Sequence, residues 1–567
     1  MAFFAASALT ALPVLVFNVR GYPFLDFYKW AVTFPLVAYG VGTASFMFLA
    51  EKPGVRVTPI ELTWLAFVLL MAFQPFILPL LNFHEWLRNA YFFAALGGAV
   101  FVLRNLPVDE AFPWILRSVC VAGGISSVFG FAQNMAGVKF PFILGVPSGL
   151  VRFFANTGLD NLLGAYLALA VTAGVWLLIY GKRRAWNIFD FSLLALNTAG
   201  MWRTGTRSAY IACAVGCAVL LAFSRSRPGF MKKCLKTLAS VAVILVCVAL
   251  ASPGALRVER RDMGKLFDLS TSREGRWTIW LTSWEMIKTA PLLGVGLGNY
   301  KWNYMDAMAA ATETYNLPPR YTHWAHNEYI QWIAETGAVG GILFFSFLLY
   351  CIFLCLKGIK KEENAEKKPL LVWSLAALAV LMADSCFSRP MHHADTAFTL
   401  SLALAVISRI EAVPVNFSSR ARWAAGGVML AISLSGLIFF VQSFQGRNFL
   451  GAYMDNQFYL TLSSSEVREG YKHPLLLRDA YLRLIARENY ARASIGFDDT
   501  AEQDYRDAVR LLTRCFETQP MYKELNMLMM LYQKRGEFDE GRRYFKYYPP
   551  EEREKFLEAR FEGKYMQ

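Results

Sequence analysis

Long apolar runs dominate the chain, and short polar or basic stretches separate them. A run of about 20 apolar residues can cross a bilayer as an α-helix, and about thirteen runs approach or reach that length. They cover residues 3–17, 29–50, 60–83, 85–103, 111–137, 158–180, 186–202, 208–223, 237–251, 339–356, 370–386, 394–407 and 423–441. The pattern predicts an all-α fold, a polytopic transmembrane helical bundle. The first run lacks a basic leading segment and a small-residue cleavage site, so we expect a retained span.

Beyond residue 445 the long apolar runs stop, and charged residues alternate with apolar ones at helical spacing. Two sets have the spacing of a tetratricopeptide repeat, namely Ala508, Leu512 and Pro520, and then Tyr532, Gly541 and Phe545. Two units are fewer than such repeats usually need for stability. We therefore expect either a helix near 476–488 to add a third unit or the domain to pack against the membrane part. An ordinary helical hairpin is the alternative. The predicted domains are a transmembrane domain, 1–445, containing a large loop, 252–338, and a helical domain, 446–567.

The net charge of +14 changes this picture little, although in a soluble protein it would suggest a nucleic-acid partner. Apolar residues make up 55% of the chain, and basic residues in short loops between spans set topology. The clusters at 182–184, 225–236, 357–368 and 409–422 are all expected on the cytoplasmic side. This orientation places the N-terminus in the cytoplasm, and the large loop and the C-terminal domain outside. The nine cysteines form no CxxC pair, which argues against a disulfide framework or a zinc site.

Polar residues near the outer ends of the spans are the candidates for a site. A charge at membrane depth is costly unless it is paired or lines a cavity, so each marks a functional position by default. These residues are Arg88, Arg152, Arg207, Arg276, His326, Asp384, Arg389, His392 and His393. Each also has a simpler interpretation, as a snorkelling or interfacial side chain, a solvated loop residue or, for Asp384 and Arg389, an ion pair.

Arginine and histidine together suit one kind of chemistry. The planar fork of arginine suits the oxygens of a diphosphate, and a histidine can accept the proton of an attacking sugar hydroxyl. The residues therefore predict glycosyl transfer from a lipid diphosphate. His323 and His326 lack a clear third metal ligand, and the glycine-spaced segment 294–298 predicts a tight turn rather than a nucleotide loop. We expect neither a metal nor another cofactor.

Other classes of protein stay open at this point. A transporter would also have many spans and buried charges, but it usually has internal repeats and charges near the midplane. A receptor or scaffold that binds a protein partner through the C-terminal domain is a third interpretation.

The large loop resembles a known family. Gly275, Arg276 and Trp280, followed by segments 291–299, 325–331 and 335–337, are similar to the signature of the O-antigen ligase and polymerase family, which includes bacterial O-linked oligosaccharyltransferases. Two earlier segments, 152–169 with Arg152 and 204–212 with Arg207, resemble further motifs of that family, in the same order.

The resemblance implies a GT-C-like, metal-independent, inverting glycosyltransferase of a bacterial inner membrane. Its donor would be an undecaprenyl-diphosphate-linked oligosaccharide, with the prenyl tail among membrane lipids. Carried over by position, Arg207 and Arg276 would hold the diphosphate and His326 would activate the acceptor hydroxyl. Arg152 matches less closely, and Arg88 is added from topology. The candidate accessory residues are His323, Asn327, Glu328, Asp384, Arg389, His392 and His393.

The resemblance leaves the acceptor open among lipid A-core, a growing polysaccharide and a protein. Residues 326–328 favour the protein-modifying members, whereas 329–337 favour ligases and polymerases. The C-terminal extension is more frequent in polymerases and protein-modifying enzymes. The prediction is therefore an O-antigen ligase-like transfer to an acceptor hydroxyl on the periplasmic face, with polymerase and protein O-oligosaccharyltransferase as alternatives.

Overall fold

A computed structural model describes most of the chain. The described residues are 2–15, 33, 35–42, 45, 56–106, 108–135, 155, 157, 159–181, 187–225, 270–317, 320–362, 367–414, 418–455, 478–495 and 501–561. Arg152, the run 237–251 and most of the run 29–50 lie outside them.

The described residues are mainly helical, as the apolar pattern predicts. The helices up to the large loop are α1 (Ala2–Leu15), α2 (Pro59–Phe73), α3 (Phe83–Asn105), α4 (Val108–Met135), α5 (Asp160–Tyr180), α6 (Asn187–Thr204) and α7 (Arg207–Ser224). Then follow α8 (Ser270–Thr289), α9 (Tyr300–Tyr315), α10 (Glu328–Lys361), α11 (Lys368–Ser385), α12 (Ala394–Ile407) and α13 (Ser419–Asp455). The C-terminal helices are α14 (Arg478–Ile495), α15 (Ala501–Thr518), α16 (Tyr522–Arg535), α17 (Phe538–Arg542) and α18 (Pro550–Leu557).

Short elements complete the described structure. The 3₁₀ helices are Gln74–Phe76, Pro390–His392 and Phe545–Tyr547. Two-residue strands, β1 (Arg56–Val57) and β2 (Val413–Pro414), pair antiparallel, with Arg56 opposite Pro414.

Eight helical segments of the described chain are long and apolar enough to cross a membrane. They are Pro59–Phe76, Glu85–Asn105, Val108–Ala132, Asp160–Tyr180, Arg207–Ser224, Glu328–Lys361, Lys368–Ser385 and Ser419–Ile438. Two shorter apolar helices, Ala6–Leu15 and Ala394–Ile407, lie within the predicted runs 3–17 and 394–407. The chain is a multi-pass membrane protein; the number of about thirteen spans and the GT-C-like arrangement stay predictions.

The described chain forms two compact units. The first comprises Met1–Phe67, Phe92–Leu269 and Leu343–Ser443, and the second comprises Val68–Tyr91, Ser270–Ile342 and Phe444–Gln567. The boundary predicted at residue 445 stays a prediction.

Helix α5 is the centre of the first unit. Most of its residues are buried, and it contacts α4, α6, α7 and α11. Its composition explains this position, because a helix that is apolar on all sides is typical of a bundle interior. The unit also holds a buried ion pair between α4 and α6, in which Arg117 Nε and Nη2 donate to the two carboxylate oxygens of Asp190 at 2.8 and 2.9 Å. Pairing of this kind lowers the cost of two charges at membrane depth.

The second unit has one hydrophobic core built from two distant parts of the chain. Tyr300, Tyr304 and Met308 of the loop helix α9 belong to the same cluster of buried residues as Tyr522 and Leu525 of α16. Helix α14 overlaps the predicted helix near 476–488 and contacts α15. The C-terminal helices thus share their core with helices of the large loop, and their tetratricopeptide character stays a prediction.

Candidate functional site

His326 lies in the second unit, between α9 and α10. Its φ is 49°, in the left-handed region that non-glycine residues seldom occupy. Such a conformation persists only where neighbouring contacts impose it, and it is concentrated at functional sites. The contacts on either side of His326 therefore decide where its ring lies.

Ala325, the residue before His326, is fixed by two backbone hydrogen bonds. The N–H of Ala325 donates to Oε1 of Gln331 at 2.9 Å, and the carbonyl of Ala325 accepts from Nε1 of Trp280 at 3.1 Å. Gln331 is itself fully buried, and its amide nitrogen donates to Oε1 of Glu335 at 2.7 Å. Helices α8 and α10 thus hold the His326 backbone together.

Asn327 and Glu328 start α10. Oδ1 of Asn327 accepts a hydrogen bond from the N–H of Ile330 at 3.1 Å, the arrangement of a helix N-cap. Glu328 is buried in the first turn, where the helix dipole favours a negative charge. These contacts help to set the start of the helix behind His326, and an accessory part in catalysis stays a prediction for both residues.

The rings of His326 and His323 face polar and aromatic neighbours. Nε2 of His326 lies 3.4 Å from Oγ1 of Thr322, and the tautomer decides which atom donates. The ring of His323 packs edge-on against Tyr321, with 5.2 Å between centroids. Both histidines are half-buried.

Arg276 lies on α8, four residues before Trp280. Residues four apart lie on the same side of a helix, and the Trp280 indole is bonded to the residue before His326. The half-buried Arg276 thus lies in the same unit as the candidate base, one helical turn before the tryptophan that is bonded to Ala325.

The glycine-rich segment between α8 and α9 is a turn, as its spacing predicts. The N–H groups of Val295 and Gly296 donate to the carbonyls of Ala334 and Glu335 at 2.9 and 3.1 Å. Helix α10 is kinked beside this turn at Gly337, whose φ is 64°. A Cβ on Gly337 would lie 2.3 Å from the backbone of Leu292, so only glycine permits this approach.

Gln74 completes the same turn from another part of the chain. Its Nε2 donates to the carbonyls of Leu293 and Glu335, each at 2.8 Å, and its Oε1 accepts from the N–H of Leu297 at 3.0 Å. One buried amide therefore ties the turn to α10, the helix that carries Gln331.

Arg88 belongs to an ionic cluster of the second unit. Its Nη2 lies 2.6 Å from Oε1 of Glu85, and Nζ of Lys301 lies 2.9 Å from Oε2 of the same carboxylate. The Lys301 ammonium also lies 5.7 Å from the ring centre of Trp324, next to His323. The cluster holds two permanent cations around one carboxylate near the histidine segment.

The remaining predicted residues lie in the first unit or outside the described chain. Arg207 is the first residue of α7. Asp384, Arg389, His392 and His393 are all buried, around the connection between α11 and α12. The His392 ring packs edge-on against Phe93, with 5.1 Å between centroids. The structure thus groups these four residues with one another, and their roles stay predictions.

Among the described residues, no three His, Cys, Asp or Glu side chains are grouped as metal ligands would be. Metal independence stays a prediction.

Sequence reasoning missed Gln74, Glu85 and Lys301 as residues of this region. A polar amide at the end of an otherwise apolar run is a signal that could have indicated Gln74. Glu85 and Lys301 gave no local signal, because their pairing joins residues 216 positions apart.

Two comparisons bear on the identity of the chain. Residues 192–345 match the family model of O-antigen ligase. The matched segment contains Arg207, Arg276 and residues 323–328, and it ends before the cluster of Asp384, Arg389, His392 and His393.

The exopolysaccharide production protein ExoQ of Rhizobium meliloti (strain 1021) is 25% identical over 239 residues, which cover 41% of this chain and 54% of ExoQ. The chain thus matches about half of that relative's length. The family match over the segment that carries Arg276 and His326, together with this distant relative, supports a relationship to the O-antigen ligase and polymerase family.

Proposed function

We propose that this protein is a membrane glycosyltransferase that moves a glycan from an undecaprenyl-diphosphate carrier to an acceptor hydroxyl on the periplasmic face. The observation that carries the proposal is the constrained conformation of His326, with Trp280 and Gln331 bonded to the preceding residue, Ala325, in the segment that matches the family. An imidazole held in this way can act as a general base without first being ordered.

The reaction is a single displacement. The acceptor oxygen attacks the anomeric carbon of the donor glycan, the bond between that carbon and the diphosphate oxygen breaks, and the hydroxyl proton passes to His326. The leaving diphosphate gains negative charge, which Arg276 and Arg88 stabilise from the second unit. The family resemblance also assigns Arg207 and Arg152 to the diphosphate. One displacement without a covalent intermediate inverts the anomeric configuration, and the arginines take the part that a divalent ion has in other enzymes.

The acceptor is the finer part of the proposal. The name of the relative concerns exopolysaccharide production, which favours a growing polysaccharide as acceptor and makes polymerase the second candidate beside ligation to lipid A-core. A protein is the third candidate acceptor. The proposed location is a bacterial inner membrane, with the N-terminus in the cytoplasm and the C-terminal helices in the periplasm, where they are free to bind a protein partner.

The test is transfer in vesicles that contain the full chain and a purified undecaprenyl-diphosphate oligosaccharide. Lipid A-core, a second lipid-linked repeat unit and a pilin-like protein are offered in parallel, with and without EDTA. Product on lipid A-core indicates a ligase, a ladder of products indicates a polymerase, and modified protein indicates an oligosaccharyltransferase. Loss of product with EDTA would overturn metal independence.

Two variants test the residue assignment in the same vesicles. His326→Ala should lower the rate by a factor of about 100 to 10,000, the usual contribution of a general base. Arg276→Ala should lower it through weaker stabilisation of the diphosphate. Unchanged transfer by either correctly inserted variant would refute its role, and movement of the donor lipid across the vesicle without transfer would favour a transporter.

A further inference from the structure

The side-chain oxygen of Thr322 lies among three polar atoms of the next four residues. Oγ1 is 3.1 Å from the carbonyl oxygen of Trp324, 3.3 Å from the backbone nitrogen of Trp324 and 3.4 Å from Nε2 of His326. A threonine hydroxyl has one hydrogen and two lone pairs, so it can serve three neighbours. The three contacts therefore use the whole hydrogen-bonding capacity of this hydroxyl.

The backbone of Trp324 decides where the hydroxyl hydrogen lies. A carbonyl oxygen can only accept, so the contact at 3.1 Å requires the hydrogen of Oγ1 to point at it. The Trp324 N–H can only donate, and it occupies one lone pair of Oγ1. The remaining lone pair is left for His326, and a lone pair accepts. Nε2 of His326 is then the donor of the third contact and carries a hydrogen.

A hydrogen on Nε2 determines which atom of His326 is basic. A neutral imidazole has a hydrogen on one nitrogen and a lone pair on the other, and the hydrogen bond of one nitrogen sets the state of the other. With hydrogen on Nε2, the lone pair is on Nδ1. When Nδ1 takes a proton the ring becomes a cation, and the bond from Nε2 to Oγ1 becomes charge-assisted and therefore stronger.

The length of this contact suits a site without substrate. A distance of 3.4 Å is long for an N–H···O bond, and catalytic hydrogen bonds often shorten only when the substrate is bound. A bond that strengthens as the ring gains its charge stabilises the transition state more than the ground state, which is the condition for raising kcat. Thr322 would therefore affect the rate of the chemical step more than the binding of either substrate.

We propose that Thr322 is a positioning residue that keeps the hydrogen of the His326 ring on Nε2, so that Nδ1 accepts the proton of the acceptor hydroxyl. The assignment rests on the function proposed above, since it names the atom of the same base that takes the proton. The acceptor O–H bond breaks, its proton binds Nδ1, and the oxygen electron pair forms the bond to the anomeric carbon. The electron pair of the broken bond from that carbon leaves with the diphosphate, and the imidazolium later releases its proton to water.

A purely structural interpretation of Thr322 makes a different prediction. Its two contacts with the Trp324 backbone are those of a threonine turn, which shapes a loop without acting on a ring. A structural hydroxyl would affect where the His326 ring lies, whereas an acceptor for Nε2 also fixes which ring nitrogen carries the hydrogen. The deciding measurement must therefore report on the ring nitrogens themselves.

The first experiment is nitrogen NMR of the full chain in lipid bilayers, with the histidine rings labelled with ¹⁵N. The chain has six histidines, so the signals of His326 are identified by their loss in His326→Ala. At alkaline pH the spectrum is that of the neutral ring, and it distinguishes a protonated from an unprotonated nitrogen. We expect a hydrogen on Nε2 and none on Nδ1. In Thr322→Val the Nε2 signal should shift, because its hydrogen loses the acceptor.

The second experiment measures transfer kinetics of threonine variants in the vesicles described above. Thr322→Val keeps the shape of the side chain without its hydroxyl, and kcat should fall about tenfold to a hundredfold with KM nearly unchanged, the effect of losing a hydrogen bond to a charged group. Thr322→Ser keeps the hydroxyl and should restore most of the rate. Thr314→Val, at an exposed threonine of α9, is the matched control and should transfer as the unaltered chain does.

The outcomes separate this proposal from the one on which it rests. Hydrogen on Nδ1 of His326 in an active unaltered chain would make Nε2 the basic atom, which overturns the proposal and leaves the proposed function standing. Equal kcat values for Thr322→Val and the unaltered chain, or equal losses in the valine and serine variants, would refute the role of the hydroxyl. Slower transfer by Thr322→Val with an unchanged Nε2 signal would show a structural role only. If the unaltered chain transfers to none of the three acceptors, the proposed function fails and the role of Thr322 fails with it.

Discussion

The indole nitrogen of Trp280 donates a hydrogen bond to the carbonyl oxygen of Ala325, 3.1 Å away. This bond joins the helix of Arg276 to the residue before His326. A single contact therefore links the helix of the arginine proposed to bind the diphosphate to the neighbour of the proposed base. It also restrains a backbone conformation that costs about 1 to 3 kcal/mol for a residue other than glycine.

Trp280→Phe should therefore affect catalysis more than binding. The ring keeps its packing, but the Ala325 carbonyl loses its donor, and the His326 ring loses part of its alignment. We expect kcat to fall about tenfold with KM nearly unchanged, since a net hydrogen bond contributes about 0.5 to 1.5 kcal/mol. Steady-state transfer kinetics measure both constants. Trp277→Phe changes an exposed tryptophan of the same helix and is the control; equal effects of the two variants would contradict a specific role of Trp280.

Gln74→Leu should destabilise the turn that ties the loop to α10. The change leaves two carbonyls and one N–H without the partner that Gln74 provides, at a cost of about 1 to 3 kcal/mol for each group that stays buried and unpaired. The midpoint of thermal unfolding in detergent should fall accordingly. Gln503→Leu, at an exposed glutamine of α15, is the matched control and should unfold close to the unaltered chain. Identical midpoints for the two variants would show that water or a rearrangement replaces the contacts of Gln74.

The sequence predicts the helices well because the bilayer constrains them strongly. A spanning segment must satisfy its backbone internally and present apolar side chains, and both requirements are visible in the runs that became α2, α5, α7 and α11. The candidate base and Arg276 could also be identified, because the motifs that carry them are local in sequence.

The contacts that hold the site could not be predicted in the same way. Gln74 bonds to the carbonyl of Leu293, 219 residues along the chain, and nothing in either neighbourhood indicates the other. Long-range backbone partners leave no periodic pattern, so this part of the site needs coordinates.

Gly337→Ala should be among the most damaging single substitutions in the second unit. The new Cβ would meet the backbone of Leu292 at 2.3 Å, and the backbone itself is in the left-handed region, which costs an alanine about 1 kcal/mol or more before any clash. Because the obstacle is main chain, it cannot rotate away. We expect a fall of at least several degrees in the unfolding midpoint and reduced transfer.

Gly427→Ala is the control for this substitution. Gly427 lies in α13, and its Cβ would meet nothing within 4 Å. Alanine is favoured over glycine in a helix by about 1 kcal/mol, so this variant should be unchanged or slightly more stable. A Gly337→Ala protein as stable as Gly427→Ala would contradict the close approach of the turn to the kink in α10.

Tyr522 links the C-terminal helices to the histidine segment through an aromatic series. Its ring packs edge-on against Tyr321, with 5.5 Å between centroids, and Tyr321 in turn packs against His323. The Tyr522 hydroxyl donates to the carbonyl of Tyr547 at 2.9 Å, and the side chain is almost fully buried. If the two parts form one cooperative core, damage at Tyr522 must loosen the large loop as well as the C-terminal helices.

Tyr522→Ala should cost about 3 to 5 kcal/mol, the range for removing a large buried aromatic side chain. Limited proteolysis should then cut residues 270–342 and the C-terminal helices at the same denaturant concentration. A double-mutant cycle with Tyr321→Ala isolates the contact between the rings, for which we expect a coupling of about 0.5 to 1.5 kcal/mol. Met530→Ala, a partly exposed position on the same helix, is the control and should cost far less. Cleavage confined to the C-terminal helices, with the loop still protected and transfer unchanged, would show that the loop keeps its structure without them.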